Sequence, residues 1–398
     1  MTPDEADALG RVAAAYVHIP FCARVCPYCD FAVVAGKDHL AECYVGAVCA
    51  EIGMTPRWRP LEAVYFGGGT PSHLPPPLLG KVVESVEAHH GLTDGAEVSL
   101  EANPEDFTEE KAAALRGMGF NRVSFGAQSF DPAVLRALGR RHRPKDIEAS
   151  VHAARKAGFE NVSLDLIYGT PEESDRSWEE SLEKALALDP EHISCYALTV
   201  ELGTPLSRAV RAGAPAPDPD TQADRYRVAD LLLTSAGYRR YEVSNWSRPG
   251  SECRYNLVVW AQGEYLAYGS GAHGYREGRR FRNIRRLEAY LSRVESGRLA
   301  RAGEDLISGW NAELDRLFVG LRRTVGVARG PGTEVFLASE EGSALVAAGV
   351  VVEEGSRLVV VDPLLTDAVL RAVMSLQPST EWEDPEVDSL SVFNDARR

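Results

Sequence analysis

The stretch His18-Ile-Pro-Phe-Cys-Ala-Arg-Val-Cys-Pro-Tyr-Cys-Asp30 decides how the rest of the chain is read. Cys22, Cys26 and Cys29 stand at spacings of four and three residues. Three thiolates so placed can wrap one corner of a cubane iron–sulfur cluster, satisfying three irons and leaving the fourth without a protein ligand. A ferredoxin, which only moves electrons, supplies four cysteines. A site one ligand short is built to bind something else. Pro20 and Pro27 stiffen the loop, and Phe21, Tyr28 and Phe31 are expected to shield the metal from water. The competing reading is a structural zinc site, for which His18 is the nearby fourth ligand. Disulfides fit poorly: there are seven cysteines, an odd number, and no basic-then-apolar leader. Cys43, Cys49, Cys195 and Cys253 read as small core residues. The expected compartment is the cytoplasm, with reduced thiols.

Outward from this loop, short β-branched runs alternate with helical-period runs as far as about residue 246. The strand-like segments are 12–19, 63–68, 97–101, 122–126, 161–168 and 192–199. Amphipathic stretches over 39–52, 76–89, 109–118, 144–156 and 174–188 lie between them. Strand and helix alternating at this spacing predict right-handed βαβ units and a parallel sheet, hence an α/β fold with a partial (β/α) TIM-like barrel. Chemistry in such a barrel gathers at the C-terminal ends of the strands. The cysteine loop follows the first strand and Gly67-Gly-Gly-Thr-Pro71 follows the second. Glu101 and Asn103 end the third, and Gln128 and Ser129 the fourth. Asp165 lies in the fifth, and Tyr196 and Ala197 near the end of the sixth. The glycine run is neither a Walker loop nor a dinucleotide fingerprint. It suits close backbone approach to a carboxylate, as on an amino-acid-like ligand that also occupies an open iron.

The chain has 398 residues, 44% of them hydrophobic, and a formal charge of −15. That acidity argues against nucleic acid as a partner. No apolar run reaches the length of a membrane span, though peripheral membrane contact stays open. One local exception is the run of Arg276, Arg279, Arg280, Arg282, Arg285 and Arg286, which reads either as a solvated face or as an anion site. The expected domains are a core barrel over 1–290, a small α+β, winged-helix-like domain over 291–378, and an acidic disordered tail over 379–398. Within the small domain the pattern predicts helices over 311–321 and 333–348 and a hairpin over 350–361.

Cys-x3-Cys-x2-Cys with an aromatic residue before the last cysteine resembles the signature of the radical S-adenosylmethionine (SAM) superfamily. Tyr16-Val-His-Ile-Pro-Phe-Cys22, Phe66-Gly-Gly-Gly-Thr-Pro-Ser72, Glu101-Ala-Asn-Pro104, Val123-Ser-Phe-Gly-Ala-Gln-Ser129, Asp165-Leu-Ile-Tyr-Gly-Thr-Pro171 and Tyr241-Glu-Val-Ser-Asn-Trp246 narrow the resemblance. They are similar to the group that holds oxygen-independent coproporphyrinogen III oxidase and the heme chaperone HemW. The resemblance implies a [4Fe-4S] cluster on Cys22, Cys26 and Cys29. It also implies SAM contacts from Tyr16, Gly68, Gly69, Thr70, Glu101, Gln128, Arg140, Asp165 and Ala197. A flavodoxin or ferredoxin would supply electrons.

Oxidase-type sequences carry a further cysteine two positions after the third, where this chain has Phe31, and a longer segment before the cluster. Both departures favour the chaperone type, which would bind heme and pass it to an acceptor protein. The alternative is an oxidase-like radical enzyme that decarboxylates or methylates a porphyrin or aromatic substrate. The chaperone type carries His-Asn-x-x-Tyr-Trp after the Ser-Asn-Trp segment. Here Asn256 and Trp260 match, while Tyr255 replaces the histidine and Val259 the tyrosine. The heme candidates are therefore Tyr255, Asn256 and Trp260, with Cys253 and His273 as substitutes for the missing ligand.

Overall fold

The structure is a computed structural model that describes residues 8–377; the tail expected over 379–398 lies outside the described residues. Six strands take the places the alternating pattern predicts: β1 (Ala14–Ile19), β2 (Leu61–Gly68), β3 (Leu92–Ala102), β4 (Arg122–Gln128), β5 (Asn161–Tyr168) and β6 (His192–Ala197). They run parallel in that order. The connections carry helices α1 (Ala41–Met54), α2 (Pro76–His90), α3 (Glu109–Gly117), α4 (Pro144–Lys156) and α5 (Asp175–Ala187), and α6 (Pro219–Ser235) follows β6.

The sheet then continues where the sequence shows little strand character. Beyond β6 lie β7 (Arg239–Arg240) and β8 (Asn245–Ser247), with β8 antiparallel to β6. On the other side β9 (Tyr265–Tyr268) pairs parallel with β1. Antiparallel strands β10 (His273–Arg276), β11 (Arg279–Asn283) and β12 (Arg301–Leu306) extend from it. The sheet has twelve strands in the order β12-β11-β10-β9-β1-β2-β3-β4-β5-β6-β8-β7. Its first and last strands are not paired, so the barrel is partial. The sheet thus runs past residue 290, to Leu306.

Side chains alternate across each strand. Val17, Val64, Phe66, Leu100, Phe125, Leu164 and Ile193 face outward into one core with Leu79, Val82, Ile147, Trp178 and Leu182 of the helices. The inward positions are polar instead: Tyr65, Ser99, Glu101, Ser124, Ser163, Asp165, His192 and Ser194. Parallel sheets covered on both faces are normally apolar on both. A polar lumen therefore marks a space kept for a ligand.

Helix α7 (Arg254–Trp260) closes the N-terminal end of the lumen, packing Val258 and Tyr255 against Ala14 and Ala63. After α8 (Leu287–Glu295) and β12, the small domain comprises α9 (Gly309–Gly320), α10 (Pro331–Ala338), α11 (Glu340–Ala347) and α12 (Thr366–Ser375). With them goes a three-stranded sheet of β13 (Val327–Ala328), β14 (Val351–Glu354) and β15 (Arg357–Val360). Leu317, Phe336, Val351, Leu358, Val369 and Val373 form its separate core. The single helix expected over 333–348 is two. Ser339 is extended (φ −73°, ψ 157°), and its hydroxyl accepts the Gly342 N–H to cap α11. That local bond competes with helix continuation.

Candidate functional site

One cavity of about 460 Å³ runs down the lumen from the cysteine loop. Its walls bring together Cys22, Cys26, Cys29, Gly68, Gly69, Thr70, Glu101, Gln128, Arg140, Asp165 and Ala197, residues from all six strand ends. Its lower part reaches Arg122, Ser163, His192, Cys253 and Asn256. Tyr16 stands just behind the wall, its ring stacked 6.2 Å from that of Tyr65.

The cysteine loop is tied to the barrel by hydrogen bonds. Gly69 N–H donates to Ile19 O at 2.8 Å and Thr70 N–H to Phe21 O at 2.9 Å. Gly69 must be glycine, because a Cβ there would sit 2.7 Å from Ile19 O and 2.8 Å from Phe21 O. Gly68 has φ +108°, and a Cβ on it would overlap the His18 ring. His18 Nε2 lies 2.9 Å from Ala32 O. A carbonyl only accepts, so Nε2 carries the proton and Nδ1 takes the Tyr16 hydroxyl at 3.1 Å. Both ring nitrogens are thus engaged, which removes His18 as a fourth ligand for zinc. Among the described residues no three His, Cys, Asp or Glu side chains converge on a single ion. Phe31 lines the same cavity but is 62% exposed.

The donors around the thiols fit a cluster and an anionic ligand. Thr70 Oγ1 lies 3.6 Å from Cys22 Sγ, and Arg140 Nη1 3.6 Å from Cys26 Sγ. Arg140 is held by Asn103 Oδ1 at 2.6 Å and Gly126 O at 3.0 Å, while its buried Nε has no partner. Such an orphaned donor in a cavity wall calls for an acceptor from a ligand. Burial pushes the Cys22 thiol up to about 11, so thiolate there needs a metal or cationic partner.

Two carboxyl groups face the same space. Glu101 accepts from the Tyr65 hydroxyl at 2.9 Å and from Gly68 N–H at 3.0 Å. Burial nonetheless raises it to about 7. Asp165 accepts from Ser124 at 2.9 and 3.0 Å and from Ser194 at 2.7 Å, and burial raises it too. Gln128 ends β4 at φ +62°, where the register with β5 breaks. A left-handed non-glycine residue at a cavity wall is strain of the kind kept at ligand sites.

Sequence reasoning missed Tyr65, Ser124, Ser194 and Arg122. A signal existed: serines at alternate positions of otherwise apolar strands mark the lumen face.

The heme candidates do not gather. Cys253 and Asn256 line the cavity floor. Tyr255 is half-buried and packed among rings, 5.7 Å from Tyr16, 5.3 Å from Tyr65 and 5.6 Å from Tyr265. Burial among them holds its phenol well above 10. Trp260 sits at the seam with the small domain, under the Arg322 guanidinium at 5.7 Å. His273 is exposed at the start of β10. In the arginine run, Arg279 pairs with Glu304, Arg280 with Asp315 and Arg282 with Asp305.

Among known families, the radical SAM superfamily matches residues 16–185. The heme chaperone HemW of Synechocystis sp. is 40% identical over 324 residues, 79% of each chain. That of Mycobacterium tuberculosis is 39% identical over 385 residues, 94% of this chain and 97% of the relative. Among solved structures, coproporphyrinogen III oxidase (HemN) from Escherichia coli, a radical SAM enzyme, superposes with a TM-score of 0.78 at 22% identity. It covers 94% of each chain and is evidence of shared fold.

Proposed function

Because this chain belongs to the heme chaperone HemW family of the radical SAM superfamily, we propose that it carries a [4Fe-4S] cluster and SAM, binds heme, and passes the heme to an acceptor protein. The observation that carries this reading over an oxidase-like one is the size of the cavity. Its 460 Å³ lies within the roughly 300–1,000 Å³ that a single small ligand fills. SAM against Gly68, Gly69, Thr70 and Glu101 takes up that space. A porphyrin then lies outside the lumen, as cargo rather than as a substrate beside the reacting carbon.

In this reading Cys22, Cys26 and Cys29 hold three irons. When bound, the cluster would supply the electron for reductive cleavage of SAM. The backbone of Gly68 and Gly69 approaches the ligand without side chains in the way. Arg140 offers its free Nε to an anionic group, and Glu101 attracts the cationic end. Asp165, fixed by Ser124 and Ser194, accepts hydrogen bonds from ligand hydroxyls. Tyr65 and α7 close the lumen below and keep bulk water out. Flavodoxin or ferredoxin fits as the electron donor and the cytoplasm as the compartment; no helix among the described residues is long and apolar enough to cross a membrane.

The test is anaerobic reconstitution followed by two assays. Heme-loaded protein should transfer its heme to an apo heme protein, and coproporphyrinogen III should be left intact. Stoichiometric decarboxylation with SAM cleavage would overturn the reading.

A further inference from the structure

Resting on the heme-chaperone reading, we propose that His273 is the iron ligand and that Arg282 and Arg285 receive the propionates. The site lies on the face of β10 and β11 beside the cysteine loop.

The register places the parts. His273 is paired with Arg282 and Tyr275 with Arg280 across the β10–β11 ladder. Residues directly opposite one another share a face, so this face presents an imidazole, a phenol and two guanidinium groups. His273 is exposed, and neither ring nitrogen has a hydrogen-bond partner among the described residues. Six of the nine histidines, His18, His73, His89, His90, His142 and His192, are hydrogen-bonded. His39 precedes α1 and His152 lies in α4, both away from this face. His273 alone combines a free imidazole with flanking arginines. Partial burial and then Arg282, Arg280 and Arg285 lower its pKa, which keeps the ring in the neutral form that binds metal.

The cations differ in how free they are. Arg280 is committed to Asp315 through two bonds, at 2.8 and 2.9 Å. Arg282 has only Asp305, an exposed partner at 3.4 Å. Arg285 donates to the carbonyl of Asp30, and no carboxylate among the described residues pairs with it. Arg282 and Arg285 can therefore exchange their partners for stronger bonds to ligand carboxylates. A planar macrocycle with a central iron and two carboxylates matches one neutral imidazole and two available guanidinium groups.

The rival ligand is poorly placed. Tyr255 is half-buried, its ring packed against three tyrosines, and it would have to bind as a phenolate, which its surroundings disfavour. The His273 loop, by contrast, touches the cysteine loop directly. Gly271 packs so closely on Ala32 that a Cβ there would lie 2.6 Å from it. Cargo at His273 thus sits next to the cluster yet outside the lumen.

The test is an anaerobic hemin titration of the full, cluster-reconstituted chain, read by the Soret band. Wild type, His273→Ala, Arg282→Glu and Tyr255→Phe are compared, with cluster absorbance confirming the fold of each. His273→Ala should weaken binding by about tenfold or more and move the band, and added imidazole should restore the wild-type spectrum. Arg282→Glu should weaken binding with the band unmoved, and Tyr255→Phe should keep both affinity and band. If His273→Ala keeps the wild-type affinity and spectrum, or Tyr255→Phe alone moves the band, the assignment falls while the chaperone reading stands. If the wild type binds no heme, both fall.

Discussion

Replacing Gly69 by alanine should break the junction between strand β2 and the cysteine loop, and the size of the effect can be worked from the structure. The added Cβ would stand 2.7 Å from Ile19 O and Pro20 C and 2.8 Å from Phe21 O. All three are backbone atoms and cannot rotate away. Reaching an ordinary contact of about 3.5 Å requires the two segments to part by about 0.7–0.8 Å. The bonds from Gly69 N–H to Ile19 O and from Thr70 N–H to Phe21 O, now 2.8 and 2.9 Å, would then stretch to roughly 3.6 Å, beyond useful range. Two backbone hydrogen bonds are worth about 1 kcal/mol each, and overpacking adds about 1–3 kcal/mol. The expected loss is about 3–5 kcal/mol in urea unfolding followed by circular dichroism. SAM retention in equilibrium dialysis should fall by about tenfold or more, and iron content should fall with it. Gly46→Ala is the matched control, since nothing lies within 4 Å of a Cβ there. Helix propensity predicts that it gains up to about 1 kcal/mol. A Gly69→Ala protein within 1 kcal/mol of wild type (about the gain expected of the control) and with unchanged SAM affinity would refute the reasoning.

Three further outcomes are expected. Burial holds Glu101 at about 7, so apo protein keeps it protonated in mildly acid solution. SAM affinity should therefore rise as pH increases from about 5.5 to 8 and then level off, whereas Glu101→Gln should give a flat profile by isothermal titration. Linkage gives the sign for stability. The folded value lies above the unfolded one, so the contribution of the protonated group is full below about 4.5 and is lost as pH rises through 7. The stability of Glu101→Gln relative to wild type should accordingly improve over that window, by an amount of order 3 kcal/mol. Tyr255→Ala should cost about 3 kcal/mol in denaturant unfolding, because it empties the ring stack on the lumen floor. Asp315→Ala removes the acceptor of two Arg280 bonds and one from Gln262 at 2.9 Å. It should loosen the small domain by about 2–3 kcal/mol, seen as faster hydrogen exchange in α9 and at Gln262.

Much of the fold was legible because two physical periods coincide in it. Strands at period two and helices at period 3.6 alternate from β1 to β6, and a parallel barrel sends every strand's C-terminal end to one mouth. Motifs scattered over some 180 residues, from Cys22 to Ala197, are therefore legible as parts of one pocket from the sequence. The β10–β12 extension carried no such signal. Arg279–Asn283 reads Arg-Arg-Phe-Arg-Asn and Arg301–Leu306 reads Arg-Ala-Gly-Glu-Asp-Leu. Their stabilising contacts are lateral pairs such as Arg279 with Glu304 and Arg282 with Asp305, together with Arg301 stacked over Phe281 at 3.3 Å. Cross-strand charge pairing has no period in the one-dimensional sequence. The run therefore looks like a solvated basic segment, although it lies within the same sheet.

The same limit governs the residue at 255. A sequence can show that tyrosine stands where related chains have histidine, and ligand chemistry then suggests a phenolate in place of an imidazole. Whether the side chain is free to bind depends on α7. That helix turns residue 255 toward Tyr16 and Tyr65, two residues opposite one another on β1 and β2. No spacing within Cys253–Trp260 encodes that orientation, because it is set by the strands the helix caps. Three stacked rings each gain area and quadrupole contacts. Tyrosine at 255 is thus accounted for by packing alone. In the proposed heme site the iron ligand is then a side chain whose nitrogens are not already engaged. On the face beside the cysteine loop, the proposal assigns that role to His273.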